Sequence, residues 1–388
     1  MAQSADVVVI GGGISGTAAA YELASHGARV TLVERADLAG MASGWTLAGV
    51  RQSGRNPAEL PLARAAVKRW QGLSEELGAD VEYRQDGNLR LARTPEEIPV
   101  IRQMVEDQRA LGLDLTFLPS NEVVRDVAPA LAEMVLAASL CPTDGHANPV
   151  ATVHAFAAAA KRKGATFLTG TEVMEILVED GRVTGVQTSS GRVDAGIVVV
   201  AAGVYTDRLL APLGIDLPLR IRHVSVVQTI PAPPMLRQVL GVANADFAGR
   251  QEVGGRFRLT GGGSPWQHSL EERGESDDVV QPPAQQVMAT MARATEVVPA
   301  LLDIPIGRVW GGLIDMTPDA LPVIECPSEI DGLIVATGFS GHGFCLGPIT
   351  GQIIRELALD GCSTLPIEPF RHDRFGAVVE QEAMTLHG

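Results

Sequence analysis

The sequence predicts an α/β protein in which a parallel-sheet domain is interleaved with an α+β domain built on a mainly antiparallel sheet. Three observations predict it. Three apolar runs, Val7-Val8-Val9-Ile10, Ile197-Val198-Val199-Val200 and Leu333-Ile334-Val335-Ala336, each lead into a glycine turn, and continuous apolar strands are those of a parallel sheet buried on both faces. The stretches between them change texture, with alternating strands at 222–230 and 256–261 that suit a second, antiparallel sheet. The length of 388 residues exceeds one ordinary domain.

The first strand runs into Gly11-Gly12-Gly13-Ile14-Ser15-Gly16. Gly11 allows the tight turn, Gly13 lets a pyrophosphate approach bare backbone, and Gly16 lets helix pack on strand. The spacing predicts a helix over 15–26, whose first amides form an anion site without side-chain charge. A second strand over 29–33 delivers Glu34 about 20 residues after the glycines, where a carboxylate can accept both hydroxyl protons of a ribose. Arg35 leaves an opening for a 2′-phosphate, which Glu34 would repel. Taken together these pieces describe a Rossmann-like nucleotide site; a purely structural glycine turn is the alternative.

A small-residue loop, 39–44, precedes Leu47-Ala48-Gly49-Val50-Arg51-Gln52 and suits close passage of backbone by a ligand. Apolar spacing then predicts helices over 59–77, 95–111 and 121–127, with a strand at 89–92. A helix over 149–163 leads into short strands over 165–200, turned at Glu179-Asp180-Gly181-Arg182 and Ser189-Ser190-Gly191-Arg192. A proline break at 231–234, a helix near 284–298 and a final helix over 348–359 complete the elements. The first domain is expected at 1–80, 145–215 and 320–388, the second at 81–144 and 216–319.

With 46% hydrophobic and 20% charged residues the composition is that of a compact enzyme, and no stretch approaches the roughly 18 apolar residues of a membrane span. A net charge of −15 argues against nucleic acid and anionic membranes as partners. The N-terminus lacks the basic region of an export signal, so a cytoplasmic location is expected. Cys141, Cys326, Cys345 and Cys362 show no C-x-x-C spacing and read as free thiols, while His146, His154 and His268 have no clustered partners, so no metal site is expected.

A simple NAD-binding domain does not need the later turns at Gly203 and Gly338 to Gly343. With Trp310-Gly311-Gly312-Leu313, Met316-Thr317-Pro318-Asp319 and Phe339-Ser340-Gly341-His342-Gly343-Phe344, the chain resembles the flavin-dependent D-amino acid oxidase superfamily over nearly its whole length. Within it, the 42–52 loop and the 82–92 segment look closest to opine oxidase and hydrogen cyanide synthase subunits and to oxidases of glycine-like secondary amines. The resemblance implies noncovalent FAD, with adenosine over Gly11 to Gly16 and Glu34 and the flavin between the Gly49 loop and the Gly341 to Phe344 turn. It also implies cofactor contacts from Ile14, Ser15, Arg35, Ser43, Val50 and Val173, and from Ala202, Gly203, Gly312, Gly338 and His342. His342 has the alternative of a simple turn histidine.

Two departures bear on substrate. Where glycine oxidase carries an arginine for the substrate carboxylate, this chain has Ile314; where sarcosine oxidase places a lysine after Gly-His-Gly-Phe, it has Cys345, which reads as a small buried filler. Sarcosine oxidase also bonds its flavin through a cysteine in the region matched here by Gly311-Gly312. Another cation must meet a carboxylate. Arg51 is the first choice, because a planar guanidinium suits one; a surface or ADP-side ion pair is the alternative. Arg256, Arg258 and Thr260 share one strand face, Arg220 and Arg222 another, and His223 points opposite to Arg222. More than one arginine at the cleft would favour a dicarboxylate or opine-like substrate.

The expected reaction is oxidation of an amino acid amine, primary or secondary, by hydride transfer to flavin N5, with Arg51 and His342 as catalytic residues and His223, Arg258, Thr260, Ile314 and Cys345 among the substrate-contact positions. Oxygen or an electron carrier would reoxidise the flavin. Two other classes remain: a flavin subunit of a multi-chain amine dehydrogenase with partner subunits, and a flavin monooxygenase, against which the Met-Thr-Pro-Asp and Gly-His-Gly-Phe segments speak.

Overall fold

The structure is a computed structural model that describes residues 3–270 and 280–376; residues 271–279 of the expected second domain and 377–388 of the first lie outside them. One sheet contains, in spatial order, Val323–Glu325, Leu333–Thr337, Ile197–Val200, Val7–Ile10, Val30–Val33 and Thr166–Leu168. The strands from Leu333–Thr337 to Thr166–Leu168 are parallel, with Val7 opposite both Ile197 and Val30, and Val323–Glu325 is an antiparallel edge. Alternation along these apolar runs feeds two cores. Val7, Val9, Leu32 and Val199 pack beneath the helices Ile14–Ser25, Leu60–Trp70, Pro149–Arg162 and Gly343–Asp360, whereas Val8, Ile10, Val33 and Val200 face the strands Val173–Glu179, Arg182–Thr188 and Gly191–Asp194. Helices thus cover one face and a small meander the other.

The Ile14–Ser25 and Gly343–Asp360 helices press together at two glycines, one against the Ile14 side chain and one against the Ala18 backbone. A Cβ on Gly347 would lie 2.6 Å from Ile14, and one on Gly351 2.6 Å from the Ala18 carbonyl carbon. At Gly351, where backbone stands in the way, only glycine admits that approach at an unbroken interior density.

The second sheet is mainly antiparallel: Ile306–Met316 pairs with Arg220–Pro231, followed by Arg256–Gly261, Phe247–Gln251, Val239–Val242, Asn88–Ala92, Ala137–Cys141 and Thr116–Leu118. The one parallel step among these joins Val239–Val242 to Asn88–Ala92. Leu89, Leu91, Leu240 and Leu259 turn to an outer core closed by the Ala284–Val297 helix, so Arg90, Gly241 and Thr260 turn the other way, toward the first domain.

Two expected helices differ. The 59–77 helix is two, Leu60–Trp70 and Leu73–Leu77, broken at Gly72, which a helix interior disfavours. The last helix starts at Gly343 rather than at Pro348. Proline favours a first turn, but here it sits inside, in a stretch anchored from outside: Trp70 Nε1–H donates to the Cys345 carbonyl at 2.9 Å and Arg69 to that of Pro348 at 2.7 Å.

Candidate active site

The first turn forms as its glycines require. Gly11 N–H donates to the Val33 carbonyl at 2.9 Å, and a Cβ on Gly16 would stand 2.0 Å from the Gly11 carbonyl oxygen. Ser43 Oγ accepts the Ile14 N–H at 3.0 Å, bringing the 39–44 loop onto the helix start. Glu34 accepts from Gly12 N–H at 2.6 Å and Ala36 N–H at 2.8 Å, which fixes its carboxylate at the strand end.

Two cavities meet at Gly13, Ser43 and Gly203, so they form one cleft. The outer arm is bounded by Gly11, Glu34, Arg35, Val173 and Ala202, with the Arg35 guanidinium 4.3 Å from the centre of the Tyr205 ring. The inner arm runs over Ile14, Ser15, Gly49 and Gly312 to Gly341, His342, Gly343 and Phe344, roofed by Val224, Val226 and Thr260 of the second sheet. Gly16, Val50 and Gly338 line neither arm. Gly16 and Val50 lie behind the walls, and Gly338 N–H donates to Asp315 at 2.6 Å.

Arg51 lies in the inner arm, away from the outer one. Arg90, from the second sheet, lies there too, and Arg51 Nη1 and Arg90 Nη2 each stand 3.0 Å from the point a Gly54 Cβ would occupy. Arg55 is a third cation lining this arm. Burial, then the Arg55 and Arg90 charges, push the Arg51 proton affinity well below its usual value; burial and Arg55 bring Arg90 down to about 10. Crowded, desolvated guanidinium groups of this kind favour an anion between them. The loop itself is tied by buried Asp144, which accepts from Gln52 N–H at 2.8 Å and Ser53 N–H at 3.3 Å and from the Ser53 hydroxyl.

His342 Nδ1 lies 3.0 and 3.1 Å from the two oxygens of fully buried Glu59, whose Oε2 also meets Arg55 at 3.4 Å. Burial raises the Glu59 pKa, but the His342 and Arg55 charges outweigh it and bring it to about 2. Burial and the Arg55 charge lower His342 to about 4. The pair at neutral pH is therefore an ionised carboxylate accepting Nδ1–H from a neutral imidazole.

Other expected contacts lie elsewhere. His223 Nε2 meets the Val280 carbonyl at 2.8 Å, its ring 5.8 Å from Trp266, outside the cleft. Arg258 donates to Glu252 at 2.7 Å and to the Thr46 carbonyl at 2.7 Å behind the wall. Cys345 is buried with its thiol toward the Arg51 carbonyl at 3.4 Å. Arg256 and Arg220 are exposed, and Arg222 bonds the Gly263 carbonyl. Ile314 and Thr260 do line the inner arm, the first without any cation to offer. Sequence reasoning missed Arg55, Glu59, Arg90, Asp144 and Asp315; a charged residue inside Leu89-Arg90-Leu91 was the one available signal.

The four cysteines are free thiols. Among the described residues no group of three or more His, Cys, Asp or Glu could hold a metal, and no helix is long and apolar enough to cross a membrane.

Residues 6–357 match the family model of the FAD-dependent oxidoreductases of the DAO type. Sarcosine oxidase subunit beta of Rhodobacter capsulatus is 27% identical over 94% of this chain and 87% of its own. Among solved structures, L-proline dehydrogenase from P. horikoshii superposes with a TM-score of 0.87 at 30% identity, covering 97% of this chain and 98% of its own. Glycine oxidase from Geobacillus kaustophilus superposes with a TM-score of 0.89 at 26% identity, over 96% and 99%. The chain belongs to the FAD-dependent DAO oxidoreductase family. It is a flavoenzyme that uses FAD, and related proteins bear the names of amino acid oxidases and dehydrogenases. The residues present fit that cofactor: a glycine cradle that no Cβ could enter and the fixed Glu34 carboxylate open into one two-armed cleft.

Proposed function

We propose that the chain oxidises the amine of a small amino acid, primary or secondary, with the carboxylate held between Arg51 and Arg90. The observation that carries this reading is that both arginines, one from each domain, line the inner arm of the cleft, with their Nη atoms drawn together beside Gly54, where Arg51 Nη1 also donates to the Ser53 carbonyl at 2.6 Å. Paired guanidinium groups recognise a carboxylate with geometry as well as charge. Bound FAD would supply a two-electron acceptor there, so that the substrate could lose its Cα hydrogen with the bonding electron pair while the nitrogen lone pair forms a C=N bond. Water then adds to the imine carbon, and C–N cleavage leaves an oxo acid and the released amine. The protein's contribution is orientation and exclusion of water, by the carboxylate clamp below and the apolar roof of Val224 and Val226 above. Glycine, sarcosine, iminodiacetate, an opine and a D-amino acid, tested by flavin bleaching under nitrogen, check it; bleaching by amines without a carboxylate and by none of these would sink it.

A second reading is supported by the subunit naming of the sarcosine oxidase relatives. In it the chain carries FAD inside a larger assembly and passes electrons to a carrier. Purified chain that turns over amine and releases peroxide alone would exclude it.

A further inference from the structure

His342 Nε2 is buried and has no hydrogen-bond partner among the described residues. His342 lines the inner arm of the cleft. An orphaned buried ring nitrogen costs free energy unless a ligand completes it. The tautomer is set from behind: Glu59, itself fully buried, takes Nδ1–H at 3.0 to 3.1 Å, so Nε2 keeps its lone pair and can only accept. Arg55 holds Glu59 from the far side and also bonds the Arg51 backbone carbonyl through Nε at 3.2 Å, which ties this relay to the loop that carries the carboxylate clamp. In an α-amino acid the nitrogen is separated from the carboxylate by a single carbon, so a substrate gripped at Arg51 presents its N–H groups beside the clamp. We infer that His342 Nε2 accepts an N–H of the substrate amine and orients its lone pair, and that Glu59 is the positioning residue that keeps Nε2 an acceptor. Primary and secondary amines both offer the N–H; a tertiary amine offers none in its neutral form, so the site selects against fully substituted nitrogen.

This inference rests on the amino acid reading above, and its test separates the two. The FAD-loaded full chain is mixed under nitrogen with the best-reducing amine of the panel, with its N-methylated tertiary form, and with its des-amino acid, in which hydrogen replaces nitrogen. His342→Leu is expected to slow flavin reduction by about tenfold or more, with resting flavin spectrum and des-amino acid affinity unchanged. Glu59→Gln, which still accepts Nδ1–H, keeps most of the rate, while Glu59→Leu loses it; that rescue is what a merely structural Glu59 would not give. An unchanged rate in His342→Leu overturns the inference alone. Equal loss of des-amino acid affinity, or an altered resting spectrum, overturns it by placing Nε2 on the carboxylate or the cofactor. Equal reduction by the tertiary amine overturns the selectivity. Wild-type protein that no amino acid bleaches overturns the underlying reading instead.

Discussion

The Asp315 carboxylate accepts the Gly338 backbone N–H at 2.6 Å, so the end of one domain's Ile306–Met316 strand pins the last glycine turn of the other domain's sheet. The same oxygen accepts the Thr337 hydroxyl at 3.0 Å. Burial raises the Asp315 pKa against these bonds, so its charge is costly and its hydrogen bonds are what retain it. Asp315→Asn keeps an acceptor oxygen and is expected to cost under about 1 kcal/mol, whereas Asp315→Ala orphans the buried Gly338 N–H, the Thr337 hydroxyl keeping Thr206 Oγ1 at 3.0 Å, and costs about 1 to 3 kcal/mol. Urea unfolding of the FAD-loaded variants gives the comparison.

Replacing either arginine of the clamp removes one buried partner of an anion. Arg51→Ala and Arg90→Ala are each expected to raise KM for an amino acid by about a hundredfold. Arg51→Lys recovers part of the loss, because a point charge lacks the planar fork. Steady-state kinetics with an amino acid against a carboxylate-free amine decides it: equal effects on both would remove the clamp assignment.

Stability should fall on acidification. His342 titrates near 4 in the native protein against an ordinary 6.5, and His146, through burial and the charges of Arg250 and Arg84, near 2. The unfolded chain thus binds protons below pH 6.5 that the native chain refuses, and unfolding gains with each step down. Glu59, near 2 in place of 4.5, adds a loss of native stability that begins below pH 4.5 and continues toward 2. Chemical denaturation across pH 4 to 7 should show a slope that His342→Gln makes shallower; an unaltered slope contradicts the assignment.

Two glycines separate close approach from backbone strain. Gly16→Ala places a methyl 2.0 Å from the Gly11 carbonyl oxygen, while at Gly203, with φ +55°, nothing lies within 4 Å of the added atom. Gly16→Ala should abolish FAD retention; Gly203→Ala should cost only about 1 to 2 kcal/mol of backbone strain. Flavin absorbance per mole of protein distinguishes them.

Acid precipitation should leave a colourless pellet and yellow supernatant. Among the described residues no cysteine lines the cleft, and the Cys345 thiol faces the Arg51 carbonyl.

The three strand-to-glycine turns and their helices were legible because each is written in consecutive residues. The alternating second sheet was legible for the same reason. Arg90 was not: its neighbours Leu89 and Leu91 mark a strand, but only pairing with Val239–Val242 shows that its face turns to the cleft. Glu59 opens a helix and meets His342 across 283 residues, a contact that no local pattern carries. Strand alternation gives His223 a face but not its partner: the ring meets the backbone at Val280, a closure fixed by long-range packing.

The bare approach of Gly351 to the Ala18 backbone of the Ile14–Ser25 helix has a metric consequence. That helix begins at the turn expected to grip pyrophosphate, and its partner begins at the turn expected to grip the flavin. The span between the two grips is therefore gauged in part by Gly351, which touches neither, and a methyl added there would lengthen the ruler by which the protein measures its cofactor.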